Sequence, residues 1–173
     1  PLLAGRVMKI APKAVKKFGT FHILPYSWTA KHGTRMLGTV LRSSLDEFDH
    51  FFAVSPPALE FMQDSFNIKG TVLPNPVDYD FYHSFKRTPS KKKRVVYLGR
   101  FHERKGVKEL IKAFGLIDPE LRKDVELTMC GKGPLLQEVK ELSSKKKLNV
   151  HFPGFVSEDQ KAQYLADADI AVF

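Results

Sequence analysis

The sequence predicts an α/β fold built from parallel sheets. Short apolar segments alternate along the chain with segments whose apolar residues recur at helical spacing, which is typical of strands connected by helices. The segment Val95–Leu98 is apolar without interruption, as expected for a strand that is buried on both faces of its sheet. Because a crossover helix returns the chain to the same edge of the sheet, consecutive strands should run in parallel.

In the first half of the chain, the pattern predicts three strands and two helices. Pro57 suits the first turn of the second helix, where the N–H that proline lacks is not needed, and Ser55 is placed to cap it. The predicted strands are residues 17–24, 50–55 and 70–73, and the predicted helices are residues 34–44 and 56–66.

A connecting segment separates this half from the next. Residues 74–93 are rich in prolines and aromatic residues and end in the basic run Lys91–Arg94, which is typical of a linker. We therefore expect two domains, residues 1–90 and residues 91–173, with the boundary near Ser90.

The second half repeats the alternation more clearly. Ser157 is a predicted N-cap, with acidic residues in the helical turn that follows it. Right-handed crossovers should bring the glycine-bearing loops 99–106, 131–134 and 154–157 to one edge, where they would line a crevice. The predicted strands are 95–98, 125–130, 150–152 and 169–173, and the predicted helices are 107–116, 134–144 and 158–166.

Composition indicates a globular, strongly basic protein. The chain has 173 residues, of which 43% are hydrophobic, and a net charge of +9, so an anionic ligand or surface is expected. Cys130 is the single cysteine, which excludes an internal disulfide and favours a reducing compartment. The apolar runs are too short for a spanning helix, and the histidines lack the spacing of metal ligands. We expect a soluble, cytoplasmic protein without a bound metal or cofactor.

The loop after strand 95–98 is the strongest candidate for a binding site. Gly99 permits a tight turn, and Arg100 and Lys105 can converge beyond the carboxyl end of the strand. A guanidinium fork and an ammonium group together suit a diphosphate. The alternative is an ordinary loop with solvated charges.

The loop Gly131-Lys132-Gly133-Pro134 offers a second anion site. Its free N–H groups and the following helix dipole could receive a negative charge. The glycine spacing fits neither the Walker motif nor the dinucleotide-binding fingerprint. A turn in which glycine only permits close helix packing is the alternative.

Taken together, these segments resemble the retaining glycosyltransferases of family 4, which have the GT-B fold of two Rossmann-like domains. The resemblance spans nearly the whole chain and is strongest in the order and spacing of residues 99–106, 131–134, 150–156 and 164–170. It implies that Arg100 and Lys105 bind the donor diphosphate. It further implies a wall for the nucleotide base and ribose, formed with Gly99 by Gly131, Gly133, Pro134, Phe155 and Val156.

The resemblance also gives two residues of the first half a role. Gly19-Thr20-Phe21-His22 is similar to the strand-end histidine motif of the acceptor-side domain, which implies a contact between His22 and the donor sugar. His22, Arg100 and Lys105 would then be the catalytic residues. Asn75 is an expected interdomain contact, although Pro76 stands where the family usually has glycine. The alternatives are a structural histidine and a proline-rich hinge.

Both predicted domains are expected to be incomplete. The chain begins with Pro1 and stops at Phe173 within an apolar run, so we expect an internal piece of a longer protein. The family's acidic segment, which holds the donor sugar and ribose, would follow Phe173. The fragment alone is therefore expected to be inactive.

The substrate is less determined than the fold. The resemblance implies a hexose donor, with GDP-mannose slightly preferred over a UDP-sugar, and a lipid or glycan hydroxyl as acceptor; the phosphatidylinositol mannosyltransferase branch is the most similar. The basic stretch at residues 2–17 could lie on the anionic inner face of a membrane, or could be a solvated surface. A non-catalytic nucleotide- or nucleic-acid-binding module remains the alternative, on account of Lys91–Arg94 and Lys145–Lys147. Nucleic acid is the weaker choice, because no aromatic strip accompanies these cations.

Overall fold

The computed structural model describes residues 10–12, 14–22 and 43–173. Contacts within the chain divide it into two units, Pro1–Val77 and Asp78–Phe173. The predicted helix at 34–44 and the basic stretch at 2–17 fall largely outside the described residues. None of the helices in the described ranges is long and apolar enough to cross a membrane.

The first unit contains a parallel sheet of three strands, as the sequence predicts, and their order is β1-β2-β3. Helix α1 packs on it through the buried side chains of Ala58 and Met62. The Ser55 hydroxyl accepts a hydrogen bond from the Ala58 N–H at 3.4 Å, so the predicted N-cap is present. The elements are β1 (Phe18–Phe21), β2 (His50–Ala53), α1 (Pro56–Phe66) and β3 (Thr71–Val72).

The second unit contains a parallel sheet of four strands in the order β6-β5-β4-β7. The chain proceeds from β4 through β5 to β6 in one direction, and then returns to the other side of β4 to form β7. The strands are β4 (Lys93–Leu98), β5 (Val125–Cys130), β6 (Val150–Gly154) and β7 (Ile170–Val172). This reversal beside β4 is the topological switch point of the sheet.

Helices cover this sheet. Ile111 of α3 and Val139 of α5 are fully buried against the strand residues Leu127 and Met129. The helices are α2 (Tyr79–Ser84), α3 (Val107–Leu116), α4 (Pro119–Arg122), α5 (Leu136–Lys145) and α6 (Glu158–Asp167), and a short 3-10 turn spans Glu103–Lys105. The predicted α/β architecture with parallel sheets is therefore confirmed.

Residues 78–90 differ from the sequence-based expectation of a linker. They contain helix α2, in which the Asp78 carboxylate accepts a hydrogen bond from the Phe81 N–H at 2.9 Å. The segment packs onto the second unit: the Tyr82 hydroxyl donates to Glu158 at 2.9 Å, and the Thr88 N–H donates to Asp167 at 2.7 Å. The contacts therefore place the division between the units at Val77 and Asp78, ahead of the expected position near Ser90.

Two helices of the second unit also differ from expectation, one in its start and one in its existence. Helix α5 begins at Leu136 and not at Pro134, and the Leu135 N–H before it donates to the Phe101 carbonyl at 3.2 Å. The short helix α4 was not predicted, although Asp118 caps it and Pro119 begins it.

Candidate functional site

Three loops meet at the carboxyl edge of the second sheet. Backbone hydrogen bonds connect them in sequence: the Phe101 N–H donates to the Lys132 carbonyl at 2.9 Å, and the Gly131 N–H donates to the Gly154 carbonyl at 2.7 Å. A third bond joins the Gly99 N–H to the Cys130 carbonyl at 3.1 Å. The loops after β4, β5 and β6 thus form one continuous rim, as the crossover argument predicts.

The loop after β4 is held by two buried aromatic residues. Phe101 is fully buried, and its carbonyl accepts from the Leu135 N–H while its own N–H is bonded to the next loop. Tyr97 is also fully buried, and its hydroxyl donates to the Arg100 carbonyl at 2.9 Å. Arg100 lies between these two fixed points, so its backbone is anchored while its side chain is exposed to solvent.

Two glycines allow the loops to approach so closely. A Cβ at Gly131 would lie 1.9 Å from the Gly99 carbonyl oxygen, and a Cβ at Gly133 would lie 2.3 Å from the Phe101 carbonyl oxygen. Gly131 also has a φ of 140°, which disfavours other residues. These positions require glycine because another backbone occupies the side-chain volume.

The rim carries exposed cations. Neither Arg100 nor Lys105 forms an ion pair with any residue in the described ranges, and both side chains are exposed. Lys108, one helical turn further, differs: its ammonium contacts Glu103 at 2.9 Å and Glu138 at 3.2 Å. The hydrogen bond to Glu103, followed by the one to Glu138, raises the pKa of Lys108. The positive charge left for a ligand is therefore at the rim itself.

The start of helix α3 adds backbone donors to this edge. Gly106 has a φ of 61° and joins the 3-10 turn to the helix. Among the described residues no side chain caps the first turn of α3, so its first N–H groups, at the positive end of the helix dipole, have no side-chain acceptor there. An anion bound near Lys105 would satisfy such donors.

The loop after β6 presents an aromatic face. The side chain of Phe155 is 73% exposed, and the Lys132 ammonium lies 5.2 Å from its ring centroid. Gly154, with a φ of 81°, makes the turn that leads to it. Val156, the next residue, is half-buried, and Pro134 of the loop after β5 is exposed. An exposed aromatic ring of this kind can stack on a planar base.

The remaining predicted site residues lie in the first unit. His22 follows β1 directly and is exposed, and the Phe21 carbonyl before it accepts from the Val54 N–H at 3.1 Å. Asn75 is exposed two residues before the division between the units. Within the described part of the chain, no group of three His, Cys, Asp or Glu residues is arranged to hold a metal ion.

Sequence analysis did not identify Tyr97 and Phe101 as anchors of this site. Both are apolar-patterned residues that look like ordinary core positions. Their role depends on the Arg100 and Lys132 carbonyls, which reach them only after the chain has turned and a second strand has been placed. The alternation pattern carries no signal of such contacts.

The second unit matches a known protein family. The family model described as "Glycosyl transferases group 1" matches residues 78–173. The chain is similar to a mutant of S. aureus TarM in complex with Fondaparinux, alpha-GlcNAc-glycerol and UDP, with a TM-score of 0.68 and 17% identity over 92% of this chain and 32% of that one. The comparison with curated proteins found no match.

Two further solved structures are similar. WaaG, a glycosyltransferase involved in lipopolysaccharide biosynthesis, gives a TM-score of 0.66 and 14% identity over 98% of this chain and 55% of that one. Anabaena Alr3699/HepE in complex with UDP-glucose gives a TM-score of 0.62 and 19% identity over 88% of this chain and 45% of that one. The chain thus spans between about a third and about half of the lengths of these relatives. Their likeness confirms the predicted fold of the GT-B type.

Proposed function

Because the chain belongs to the glycosyl transferases group 1 family, we propose that its second unit binds the nucleotide-diphosphate sugar from which a hexose is transferred to a hydroxyl group. The acceptor would be a lipid or a glycan. Transfer would retain the configuration of the anomeric carbon, as the resemblance to family 4 implies, with the donor phosphate acting as the internal base.

The observation that carries this proposal is the pair of exposed cations on an anchored rim, neither of which has an ion-pair partner in the part of the chain that the structure describes. Transfer leaves a nucleoside diphosphate, so negative charge grows on the phosphate oxygens as the glycosidic bond breaks. Arg100 can bind these oxygens through its guanidinium fork, and Lys105 supplies a point charge. Because Tyr97 and Phe101 hold the Arg100 backbone, little reorganisation is needed during the reaction.

The other loops of the rim would hold the nucleoside. Gly131, Gly133 and Pro134 bring backbone close to the loop after β4, and Phe155 with Val156 offers an apolar wall for the base and ribose. UDP-glucose in HepE and UDP in TarM support a UDP-sugar as donor, beside the GDP-mannose that the sequence resemblance favours. Both nucleotides are therefore candidates.

Two residues of the first unit complete the proposal. His22, exposed at the end of β1, would contact a hydroxyl group of the donor hexose, and Asn75 would contact the other domain. Both roles come from the resemblance to family 4.

Calorimetric titration of GDP and UDP into the protein tests the donor site. We expect saturable binding of one nucleotide, weakened at least about tenfold (1.4 kcal/mol) by Arg100→Ala and by Lys105→Ala. Arg104→Ala is the matched control, since it removes the same charge from the same exposed turn. Binding that ignores both substitutions, equal losses in all three variants, or the absence of binding would contradict the proposed site.

A further inference from the structure

Basic residues precede three adjacent strands of the second sheet. They are Lys91 and Lys92 before β4, Arg122 and Lys123 before β5, and Lys145–Lys147 before β6. Since β4, β5 and β6 are parallel neighbours, their first residues lie at the same edge. Strand β4 has six residues and so separates this edge from the candidate donor site by about 20 Å.

Part of this edge is a continuous surface. The Arg122 guanidinium donates to the Gly115 and Ile117 carbonyls, both at 3.1 Å, and thereby joins α4 to the end of α3. The Lys146 side chain lies within 3.5 Å of the position that a Cβ on Gly115 would occupy. The end of α3 therefore contacts both helix α4 and the loop after α5. We call their exposed residues the amino-edge patch: Leu116, Leu121, Lys123, Lys145, Lys146 and Lys147.

The patch combines exposed leucines with three unpaired lysines, while the exposed carboxylates of Asp118, Glu120 and Asp124 lie on and beside α4. Leu116 is 86% exposed and Leu121 is 67% exposed, although both flank buried parts of the fold. Among the described residues, Lys145–Lys147 have no carboxylate within ion-pair distance, whereas Lys123 pairs with Glu120 at 2.7 Å. Lys147 has a φ of 53°, a conformation that glycine or asparagine adopts with less strain. The patch thus presents cations and aliphatic side chains together.

We propose that the amino-edge patch binds the surface of an anionic lipid bilayer. Leucine side chains can enter the boundary between headgroups and acyl chains, while neighbouring lysines bind the anionic headgroups. A single-stranded nucleic acid would instead need aromatic rings to stack on, and the exposed apolar residues here are both leucine. Because the donor site lies at the opposite edge, the second unit can hold a nucleotide while it is bound to lipid.

Cosedimentation of the full chain with vesicles tests this surface. We expect binding to mixed phosphatidylcholine–phosphatidylglycerol vesicles and little to pure phosphatidylcholine. The triple change Lys145→Gln, Lys146→Gln and Lys147→Gln should lower the partition coefficient about 100-fold, at about 1 kcal/mol for each cation. Leu116→Ser with Leu121→Ser should lower it at least about fivefold at unchanged charge. A circular dichroism spectrum and the nucleotide affinity should remain those of the original protein in both variants.

The matched control removes three charges elsewhere, through Arg6→Gln, Lys9→Gln and Lys13→Gln in the basic stretch near the start of the sequence. Its partition coefficient should fall much less than that of the triple lysine variant. The proposal is overturned if the control loses as much binding as the patch variant, if the patch variant binds vesicles normally, or if the patch binds RNA but not anionic vesicles. Calorimetry with nucleotide is independent of all these outcomes, so failure of this surface leaves the proposed donor site intact.

Discussion

At the scale of single residues, Tyr97 connects the core to the candidate donor site. Tyr97→Phe removes only the hydroxyl that donates to the Arg100 carbonyl, and leaves that acceptor with its other hydrogen bond, from the His102 N–H at 2.9 Å. We expect the free energy of unfolding to fall by about 0.5–1.5 kcal/mol and nucleotide affinity to weaken as well. Urea titration and calorimetry measure the two effects. Tyr164→Phe is the control, because no hydrogen bond of the Tyr164 hydroxyl is found among the described residues; equal effects of the two changes would contradict the anchoring role.

Gly131 tests the requirement for close backbone approach. In Gly131→Ala the new Cβ would clash with the Gly99 carbonyl oxygen, at a φ of 140° that alanine rarely adopts. We expect a loss of at least about 2 kcal/mol in the free energy of unfolding. Gly154→Ala is the comparison, since its φ is also positive but the space around it is open. That change should cost only about 1 kcal/mol, and a comparable loss at both positions would argue against the clash.

The candidate site was predictable from the sequence to the extent that local signals define it. Gly99, Arg100 and Gly131 follow the ends of strands. The alternation of strand and helix segments, together with the positions of the glycines, is enough to place these residues on one edge of the sheet. The reason why Gly131 must be glycine could not be predicted, because the clashing atom belongs to Gly99 on another strand. Contacts between residues distant in sequence set these details, and local patterns do not contain them.

At the scale of elements, two carboxylates bind residues 84–90 to the end of α6 and the start of β7. Asp167 accepts from the Thr88 N–H and hydroxyl, and Asp169 pairs with Arg87 at 3.0 Å. The Arg94 N–H, and then Arg87, hold the pKa of Asp169 well below its usual 3.8. A lowered pKa in the folded state means that this stabilisation is present above pH 4 and is lost as the pH falls further.

Asp169→Asn should therefore lower the urea midpoint at pH 7, and the difference from the original protein should shrink progressively below pH 4. Unfolding titrations at pH 7, 4 and 3 measure this. Asp159→Asn, at an exposed position in the first turn of α6, should leave the midpoint nearly unchanged. A difference that stays constant across the three pH values would mean that the Asp169 charge contributes nothing.

The strength of local signals decides which elements the sequence could predict. Helices α1 and α3 and strand β5 have the predicted limits, because amphipathic spacing marks the two helices and alternating apolar residues mark the strand. Helix α2 was not predicted, because it lies in a segment rich in prolines and aromatic residues. It is stabilised by contacts with residues such as Glu158, more than seventy positions away. Helix α4 has its cap and its proline but only four residues, too few for periodicity to show.

At the scale of the whole molecule, Cys130 offers a probe of how nucleotide binding and folding are coupled. It is the single cysteine, lies buried at the end of β5, and burial raises the pKa of its thiol to about 11. At pH 8 a thiol reagent should therefore react with it only after the second unit opens.

A nucleotide bound at the candidate donor site should slow this labelling. Gly131, the residue after Cys130, belongs to the rim of that site, so a bound nucleotide would stabilise the closed state. If reclosing is faster than labelling, nucleotide at 100 times its Kd should slow labelling about 100-fold (about 2.7 kcal/mol). The Arg100→Ala variant, whose affinity should be at least about tenfold weaker, should show at most about tenfold protection at the same nucleotide concentration. Fast labelling without denaturant, or a rate that is the same with and without nucleotide, would show that the rim does not couple the donor to the fold.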